Sequence, residues 1–289
     1  MNSFQPGILA PVPAQARYLT FVLAAPDADP RPALSALAKL VDGETTVAGL
    51  GASLLDVLDY PVPGLVDFPA YTGAGLEIPS TPAALWLWLR GEDRGELWQR
   101  SRALEKALAP AFELAGWADA FRYGEGRDIT GYEDGTENPK GEEAVAAAFT
   151  EDGGSFVAVQ HWRHDLAHFE AMAPGTQDHT IGRRRSDNEE LADAPDSAHV
   201  KRTAQESFTP EAFVLRRSMP WAESGEAGLV FVAFGRSLDA FTALLHRMTG
   251  QEDGITDALF SFTRPLTGAF FWCPPMSDGR LDLSDMLNA

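Results

Sequence analysis

The order in which strand patterns and helix patterns follow one another is the feature that most limits how this chain can fold. "RYLTFVLAA" (17–25) is rich in β-forming residues and predicts a buried strand. "DPRPALSALAKLVDG" (29–43) has leucines at helical spacing, and Gly43 is placed to end that helix. The rest of this half is a strand pattern over 83–91, an amphipathic helix pattern over 94–112 and a short strand pattern over 119–126.

The second half repeats this order. Its strand patterns cover 154–166, 211–221 and 228–237, and its helix patterns cover 165–172 and 237–250. Each half therefore predicts strand–helix–strand–strand–helix–strand, which is the split βαβ or ferredoxin-like unit. We expect an α+β fold of two ferredoxin-like halves, 1–140 and 141–289, each an antiparallel sheet with flanking helices. A cavity for a large planar ligand is expected between the two sheets.

The charge balance limits the partners of the chain. With 42 acidic residues against 23 Lys+Arg, its formal net charge is −19, whereas nucleic acids and anionic membranes bind cationic faces. We therefore expect neither as a partner. Cys273 is the only cysteine, which excludes an internal disulfide and Cys-rich metal sites. The sequence has no secretory signal pattern and no apolar run long enough to span a membrane, so the expected compartment is the cytoplasm.

The segment "GYEDGTENP" (131–139) has the composition of a turn, because glycines and a proline surround residues that favour turns. It carries three carboxylates close together, those of Glu133, Asp134 and Glu137. A plain surface loop explains the composition by itself. A functional carboxylate held on a glycine-flanked turn is the alternative.

Two of the six histidines, His164 and His168, are four residues apart. On a helix they would share one face, as the two zinc ligands of a zincin do. The acid between them is Asp165 and not the glutamate of such a motif. We favour a solvated helix face here and keep a zinc hydrolase as a remote alternative.

Two further histidines, His179 and His199, lie beside cationic residues in the long polar stretch 174–210. Loop histidines are usually hydrated, although their charge changes near neutral pH and they bind metals readily. Arg216 and Arg217 follow on a strand pattern, so their side chains should point to opposite faces. The inward-facing one needs a carboxylate, a phosphate or a ligand acid, since an unpaired buried charge is strongly unfavourable.

Several segments, taken in order along the chain, resemble one known family. They are "GYEDGTENP", "HTIGRRRSDNEEL", "SAHVKR", "LRRSMPW" and "DALFSFTRPLTGAFFWCPP". Together they resemble the dye-decolourising peroxidases, specifically the compact bacterial B-type branch, over roughly residues 5–275. The resemblance implies two ferredoxin-like halves enclosing haem b (iron protoporphyrin IX). It also implies a peroxidase that reduces hydrogen peroxide and oxidises a small-molecule donor in one-electron steps.

The resemblance implies roles for individual positions. Asp134 corresponds to the distal acid, Arg216 to the distal arginine and Ser218 to a third distal polar residue. His199 corresponds to the axial ligand of the haem iron, and Asp257 to the carboxylate that hydrogen-bonds its far nitrogen. The other implied cofactor contacts are Arg183, at a haem propionate, and Gly135 and Thr136 in the loop.

The chemistry of these residue types fits the implied reaction. A carboxylate on a turn can take a proton from peroxide and return it to the leaving oxygen. An arginine can stabilise the negative charge that develops on that oxygen. Glu133 and Glu137 are then expected to be turn and salt-bridge residues. A haem-handling protein that stores haem or releases its iron is the alternative, because the same pocket would serve it.

The resemblance leaves the reducing substrate open and bears on assembly. Dyes, phenolics and Mn(II) are all candidate donors. Relatives commonly form homo-oligomers, so we expect one here. Some relatives travel inside encapsulin shells by means of a C-terminal tag, but "DGRLDLSDMLNA" (278–289) does not resemble such a tag. We therefore expect no role as shell cargo.

Overall fold

The computed structural model describes residues 4–73 and 75–288. The strands are β1 (Gln15–Leu23), β2 (Thr46–Leu50), β3 (Tyr71–Gly73), β4 (Leu76–Ile78), β5 (Leu85–Gly91), β6 (Phe112–Phe121), β7 (Ser155–His164), β8 (Leu215–Arg216), β9 (Met219–Glu223), β10 (Glu226–Gly235), β11 (Thr263–Pro265), β12 (Ala269–Cys273), β13 (Met276–Ser277) and β14 (Arg280–Leu281). The helices are α1 (Arg31–Leu40), α2 (Ala52–Val57), α3 (Arg94–Leu108), α4 (Glu142–Ala148), α5 (Leu166–Ala171), α6 (Pro174–Ile181), α7 (His199–Arg202), α8 (Asp239–Met248) and α9 (Ser284–Asn288). Among the described residues, no helix is both long and apolar enough to cross a membrane.

Strands of both halves share one antiparallel sheet in the order β6-β1-β5-β2-β12-β7-β10-β8, with β9 beside β10 and β11 beside β7. In each half the fourth strand lies at one side, followed by the first, the third and the second, which is the order of a split βαβ unit. The halves meet where β2 pairs with β12 through Leu50 and Trp272. The predicted pair of ferredoxin-like halves is confirmed, while the boundary between 140 and 141 stays a prediction.

Strand β5 shows why this sheet is apolar on both faces. Side chains alternate along a strand, so Leu85 and Leu87 pack towards the helices while Trp86 and Trp88 pack the other way. Both tryptophan rings approach Phe234 of β10, so the sheet folds over on itself and fills the space between its halves. A strand buried on both faces has a continuous apolar sequence, as "LWLWL" does.

Several predicted boundaries were wrong. The helix predicted over 94–112 ends at Leu108, because Pro110 has no N–H with which to continue it. Strand β6 therefore begins at Phe112, not within the 119–126 pattern. The strand predicted over 211–221 is divided into β8 and β9.

The stretch 174–210 was predicted as a polar loop, but it contains α6 and α7. The signal for α6 was in the sequence: Pro174 stands at its first turn, and Gly182 follows its last residue in the left-handed conformation. His179 is therefore on a helix, and His199 begins one. Cys273 is buried on β12, and burial raises the pKa of its thiol.

Candidate active site

The main cavity, of about 280 Å³, lies on the helix-covered face of the second half. Strands β7 and β10 contribute Gln160, Trp162 and Phe231 to its wall, and α8 contributes Phe241 and Leu244. The described lining residues all fall between 128 and 263. The cavity is thus beside the second half of the sheet, whereas the sequence led us to expect it between the halves.

Glycines and Arg127 shape the loop that carries Asp134. Gly131 and Gly135 have φ values of 90° and 72°, a region that favours glycine. The Arg127 guanidinium donates to the Gly131 carbonyl at 2.7 Å and pairs with Glu133 at 3.2 Å. The salt-bridge contact predicted for Glu133 is therefore present, and Arg127 stabilises the turn through both contacts.

Asp134 and Arg216 meet at the wall of the main cavity. Arg216 Nη2 lies 3.1 Å from Asp134 Oδ1, and both side chains are partly exposed. The same Asp134 oxygen accepts the Gly135 N–H at 2.8 Å. Arg216 is therefore the inward-facing arginine of the strand, and its partner is a carboxylate. The pair brings a proton acceptor and a fixed cation to one point of the cavity.

Arg217 has the opposite orientation and makes no contact with the cavity carboxylate. It donates from Nε to the Ile8 carbonyl at 3.0 Å and from Nη2 to the Leu9 carbonyl at 2.7 Å. Burial, and then the positive charge of nearby Arg90, lower the pKa of Arg217 to about 10. Arg217 therefore holds the N-terminal segment against the sheet.

His199 lines the main cavity from the first turn of α7. Its Nδ1 lies 2.7 Å from Asp257 Oδ2, and Asp257 Oδ1 accepts the Leu259 N–H at 2.8 Å. An ionised carboxylate only accepts hydrogen bonds, so the His199 proton lies on Nδ1. The lone pair of Nε2 is then available to a metal. The contact that the resemblance implied between His199 and Asp257 is present.

Arg183 follows the end of α6, where Gly182 is required. A Cβ at Gly182 would lie 2.1 Å from Val200 Cγ1, so only glycine lets α6 end against α7. Arg183 Nη2 lies 2.7 Å from a Glu137 oxygen and 3.2 Å from a Glu190 oxygen. The salt bridge predicted for Glu137 is present. Two carboxylates on one guanidinium leave this edge of the cavity negatively charged.

A second cavity, of about 140 Å³, adjoins the first. Asp134, Arg216 and Leu229 line both cavities. Ser218 lines the second cavity, and its hydroxyl oxygen accepts the Val232 N–H at 3.2 Å. The structure thus brings Ser218 to the Asp134–Arg216 pair from the second cavity, and Ser218 is not part of the main cavity wall.

The two remaining loop residues predicted to contact a cofactor line different cavities. Gly135 lines the second cavity and Thr136 lines the main one. The Thr136 hydroxyl accepts a hydrogen bond from the Asn188 side chain at 3.2 Å. Of these two residues, only Thr136 is in contact with the space that a ligand of the main cavity would occupy.

The two histidines considered as zinc ligands do not share a helix face. His164 is the last residue of β7, and His168 lies on α5. The ring nitrogens of His164 contact Thr263 Oγ1 at 2.6 Å and Asp128 Oδ1 at 3.1 Å. Burial alone would raise the pKa of Asp128, but hydrogen bonds from His164 and Thr130 hold it below its usual range. The predicted helix face was wrong, and the described residues contain no group of three or more potential metal-binding side chains.

Sequence reasoning missed Gln160, which is buried in the cavity wall on β7. The Trp162 indole donates to Gln160 Oε1 at 3.3 Å, while Gln160 Nε2 has no partner within the described ranges. A polar residue inside the apolar strand pattern "FVAVQHW" was the available signal. A buried donor without a partner is unfavourable, so it indicates a place where a ligand acceptor can bind.

Comparison with known proteins identifies the family. The family model of the C-terminal part of Dyp-type peroxidases matches residues 125–278. A dye-decolorizing peroxidase of Brevibacterium linens is 32% identical over 267 residues, which cover 86% of this chain and 73% of that protein. The chain belongs to the Dyp-type peroxidase family. It is therefore an oxidoreductase of the peroxidase type.

Solved structures of Dyp-type peroxidases share the fold over nearly the whole chain. A putative family member from Shewanella oneidensis has a TM-score of 0.88 and 29% identity, over 99% of this chain and 98% of that one. A variant of DypB from Rhodococcus jostii, solved in complex with heme, has a TM-score of 0.83 and 26% identity, over 92% of this chain and 94% of that one. Another DypB variant was solved in complex with manganese.

Proposed function

We propose that this Dyp-type peroxidase depends on haem, reduces hydrogen peroxide and oxidises small donors in one-electron steps. The observation that carries the proposal is that one cavity is lined by His199 and by the Asp134–Arg216 pair. His199 has a nitrogen suited to bind iron, because Nδ1 is engaged by Asp257. The charged pair has the groups that handle the proton and the negative charge of peroxide.

The residues of the main cavity fit haem b. The Asp257 carboxylate holds the Nδ1 of His199 and so orients its ring, as the partner of a metal-binding histidine does. Gln160 offers an unpartnered amide donor and Thr136 a hydroxyl at the edge, whereas the Arg183 guanidinium would have to exchange Glu137 or Glu190 for a propionate. When bound, haem supplies the redox-active iron. The apolar wall that would contact the porphyrin includes Ile181, Val200, Val214, Leu229, Phe231, Phe241, Leu245 and Met248.

The proposed proton transfer uses Asp134. A carboxylate oxygen of Asp134 accepts a proton from peroxide and returns it to the oxygen that leaves as water. Arg216 donates hydrogen bonds to the negative charge that develops on the leaving oxygen. Because the two side chains are 3.1 Å apart and both line the main cavity, a small molecule bound beside the pair would be near both groups. Ser218 offers a further polar contact from the second cavity.

The charge of the main cavity favours neutral or cationic donors over anionic ones. Phenolics, cationic dyes and Mn(II) fit this class, and the manganese complex of a DypB variant is a precedent for the metal. Added salt should then lower kcat/KM for cationic donors, because it screens the attraction. The acidic residues of the lining are Asp128, Glu133, Asp134, Glu137, Glu190 and Glu206, against Arg183, Lys201 and Arg216.

The test of the peroxidase proposal is donor oxidation by the haem-reconstituted protein after addition of hydrogen peroxide. We expect repeated turnover with a phenolic donor and none when either haem or peroxide is omitted. A protein that binds one haem per chain but oxidises no donor would contradict the proposal and favour haem storage or iron release. Neither nucleic acid nor a membrane is proposed as a partner.

We also propose that the chain forms a homo-oligomer. Trp98 and Trp117 are 48% and 44% exposed, and the guanidinium carbon of Arg17 lies 4.7 Å from each ring. Exposed aromatic rings beside an arginine have the composition of an interface. A monomer mass by light scattering would contradict this proposal. The cytoplasm stays the predicted compartment, and no encapsulin cargo role is proposed.

A further inference from the structure

We infer that Asn138 is a positioning residue that holds Asp134 and Arg216 in register, an inference that rests on the proposed role of that pair. Asn138 is on the Asp134 loop, yet its side chain binds the backbone of a residue 78 positions away. Asn138 Nδ2 donates to the Arg216 carbonyl at 3.0 Å, and Oδ1 accepts the Arg216 N–H at 2.7 Å. One amide therefore satisfies both backbone polar groups of Arg216.

The position of β8 explains why Arg216 needs such a partner. Strand β8 is only two residues long and ends the sheet order, with β10 on one side. The neighbouring Arg217 N–H donates to the Val232 carbonyl of β10 at 2.8 Å. In an antiparallel strand the next residue points its backbone groups the other way, so those of Arg216 face the open edge. The Asn138 amide takes the place of a further strand there: it supplies the acceptor for the Arg216 N–H, whereas the Arg216 carbonyl also accepts from Arg217 Nη1 at 3.0 Å.

The glycine after Asp134 makes room for this amide. A Cβ at Gly135 would lie 2.8 Å from Asn138 Nδ2, and the Asn138 N–H donates to the Gly135 carbonyl at 3.2 Å. The loop and β8 therefore touch at two points: Asn138 binds the backbone of Arg216, and Asp134 binds its guanidinium. A long arginine side chain alone allows many rotamers, so the backbone contact is what fixes the separation of loop and strand.

The test compares haem-reconstituted wild type with Asn138→Ala. The measured quantity is the second-order rate constant of the first absorbance change after mixing with hydrogen peroxide. We expect a fall of roughly tenfold to a hundredfold, because small displacements of reacting groups have effects of that size. The Kd of cyanide should rise in parallel, since cyanide needs the Arg216 donors at the same place. An unchanged rate constant and an unchanged cyanide Kd would overturn the inference.

Asn188→Gly is the matched control. It removes another asparagine contact to the same loop, the one from Asn188 to Thr136 at 3.2 Å. Asn188 has a φ of 59°, which glycine adopts without strain. We expect the rate constant with peroxide to be unchanged in this variant. A fall equal to that of Asn138→Ala would mean that any loosening of the loop has the same effect, which overturns the specific role of Asn138.

A double-mutant cycle separates positioning from a general loss of structure. If Asn138 acts through Arg216, adding Asn138→Ala to Arg216→Leu should change the rate less than about twofold. If the rate constant of the double variant is lowered by the product of the two single-variant factors, the inference is overturned. If Asn138→Ala does not fold, Asn138→Ser takes its place, because its short neutral side chain cannot bind both backbone groups of Arg216; a fall in the rate constant supports the inference and no fall overturns it. A wild type that does not react with peroxide would overturn the proposed function itself.

Discussion

The two sides of the main cavity are built differently. On the His199 side, the His199 side chain is 21% exposed, but Asp257 behind it is 0% exposed and each of its oxygens accepts a hydrogen bond. On the other side, Asp134 and Arg216 are each 22% exposed and come from a loop and a two-residue strand. A residue that binds a cofactor needs a rigid partner that is shielded from water. Residues that exchange protons with a substrate must be accessible to that substrate. We therefore interpret the first side as the binding side and the second as the reacting side.

The largest effect that this comparison predicts is on the reacting side. Asp134→Asn keeps the shape but removes the proton acceptor, so the rate constant with peroxide should fall about 10²- to 10⁴-fold. The Tm should change little, because a partly exposed ion pair contributes about 1 kcal/mol or less. Stopped-flow absorbance and a thermal melt measure the two effects. An unchanged rate would mean that another group carries the proton, most simply a water held by Arg216 and Ser218.

The next effect is expected on the binding side. Asp257→Asn replaces the acceptor for His199 by a neutral amide, so the affinity for haem should fall about 10- to 100-fold. The rate constant with peroxide, measured at saturating haem, should change less than in Asp134→Asn. Asp193→Asn is the matched control, since Asp193 lies 3.6 Å from His179 in an exposed pair. Equal haem affinities of the two variants would contradict the comparison.

The smallest effect concerns the stability of the fold at acid pH, which is measured separately from the effect of acid on the reaction. His161 packs against Trp221 outside both cavities, and burial lowers the pKa of its imidazole below the usual value of about 6.5. The unfolded chain therefore binds the proton more readily, so stability is full above about pH 6.5 and decreases as the pH falls towards the folded pKa. The loss is at most about 1.4 kcal/mol per pH unit.

His161→Phe should remove this part of the pH dependence. Urea unfolding at about pH 7.5 and about pH 5.5 measures it in both proteins. We expect the difference in unfolding free energy between the two pH values to be smaller in the variant. If wild type and variant lose the same free energy, another group is responsible for the acid sensitivity of the fold.

The sequence predicts the order of the elements because burial leaves a pattern in it. The continuous apolar run of β5 and the helical spacing of α8 were both interpreted correctly. Strands β2 and β12 were missed, since "TVAGL" and "AFFWC" are five residues each, too short to show a period. The helix pattern continues past the true end of α3 at Leu108, because Ala109 and Ala111 fit a helix and only Pro110 stops it.

Much of the candidate site came from motif positions, and the rest depends on contacts that no local pattern contains. Asp134 and Arg216 were named from the sequence, and the structure brings them to 3.1 Å. Asn138 binds the backbone of Arg216, which is 78 positions away, and no sequence pattern near either residue indicates this contact. The orphaned amide of Gln160 likewise depends on which strand face borders the cavity.

The central claim is that His199 binds haem in a cavity that also holds the Asp134–Arg216 pair. Its most direct test is the absorption spectrum of the purified protein during titration with haem. We expect wild type and His179→Ala to develop a Soret band that saturates at one haem per chain, because His179 is only partly buried and lies outside the cavity lining. His199→Ala should develop a weak band that does not saturate. A wild type without a Soret band, or a His199→Ala titration identical to that of wild type, would contradict the account.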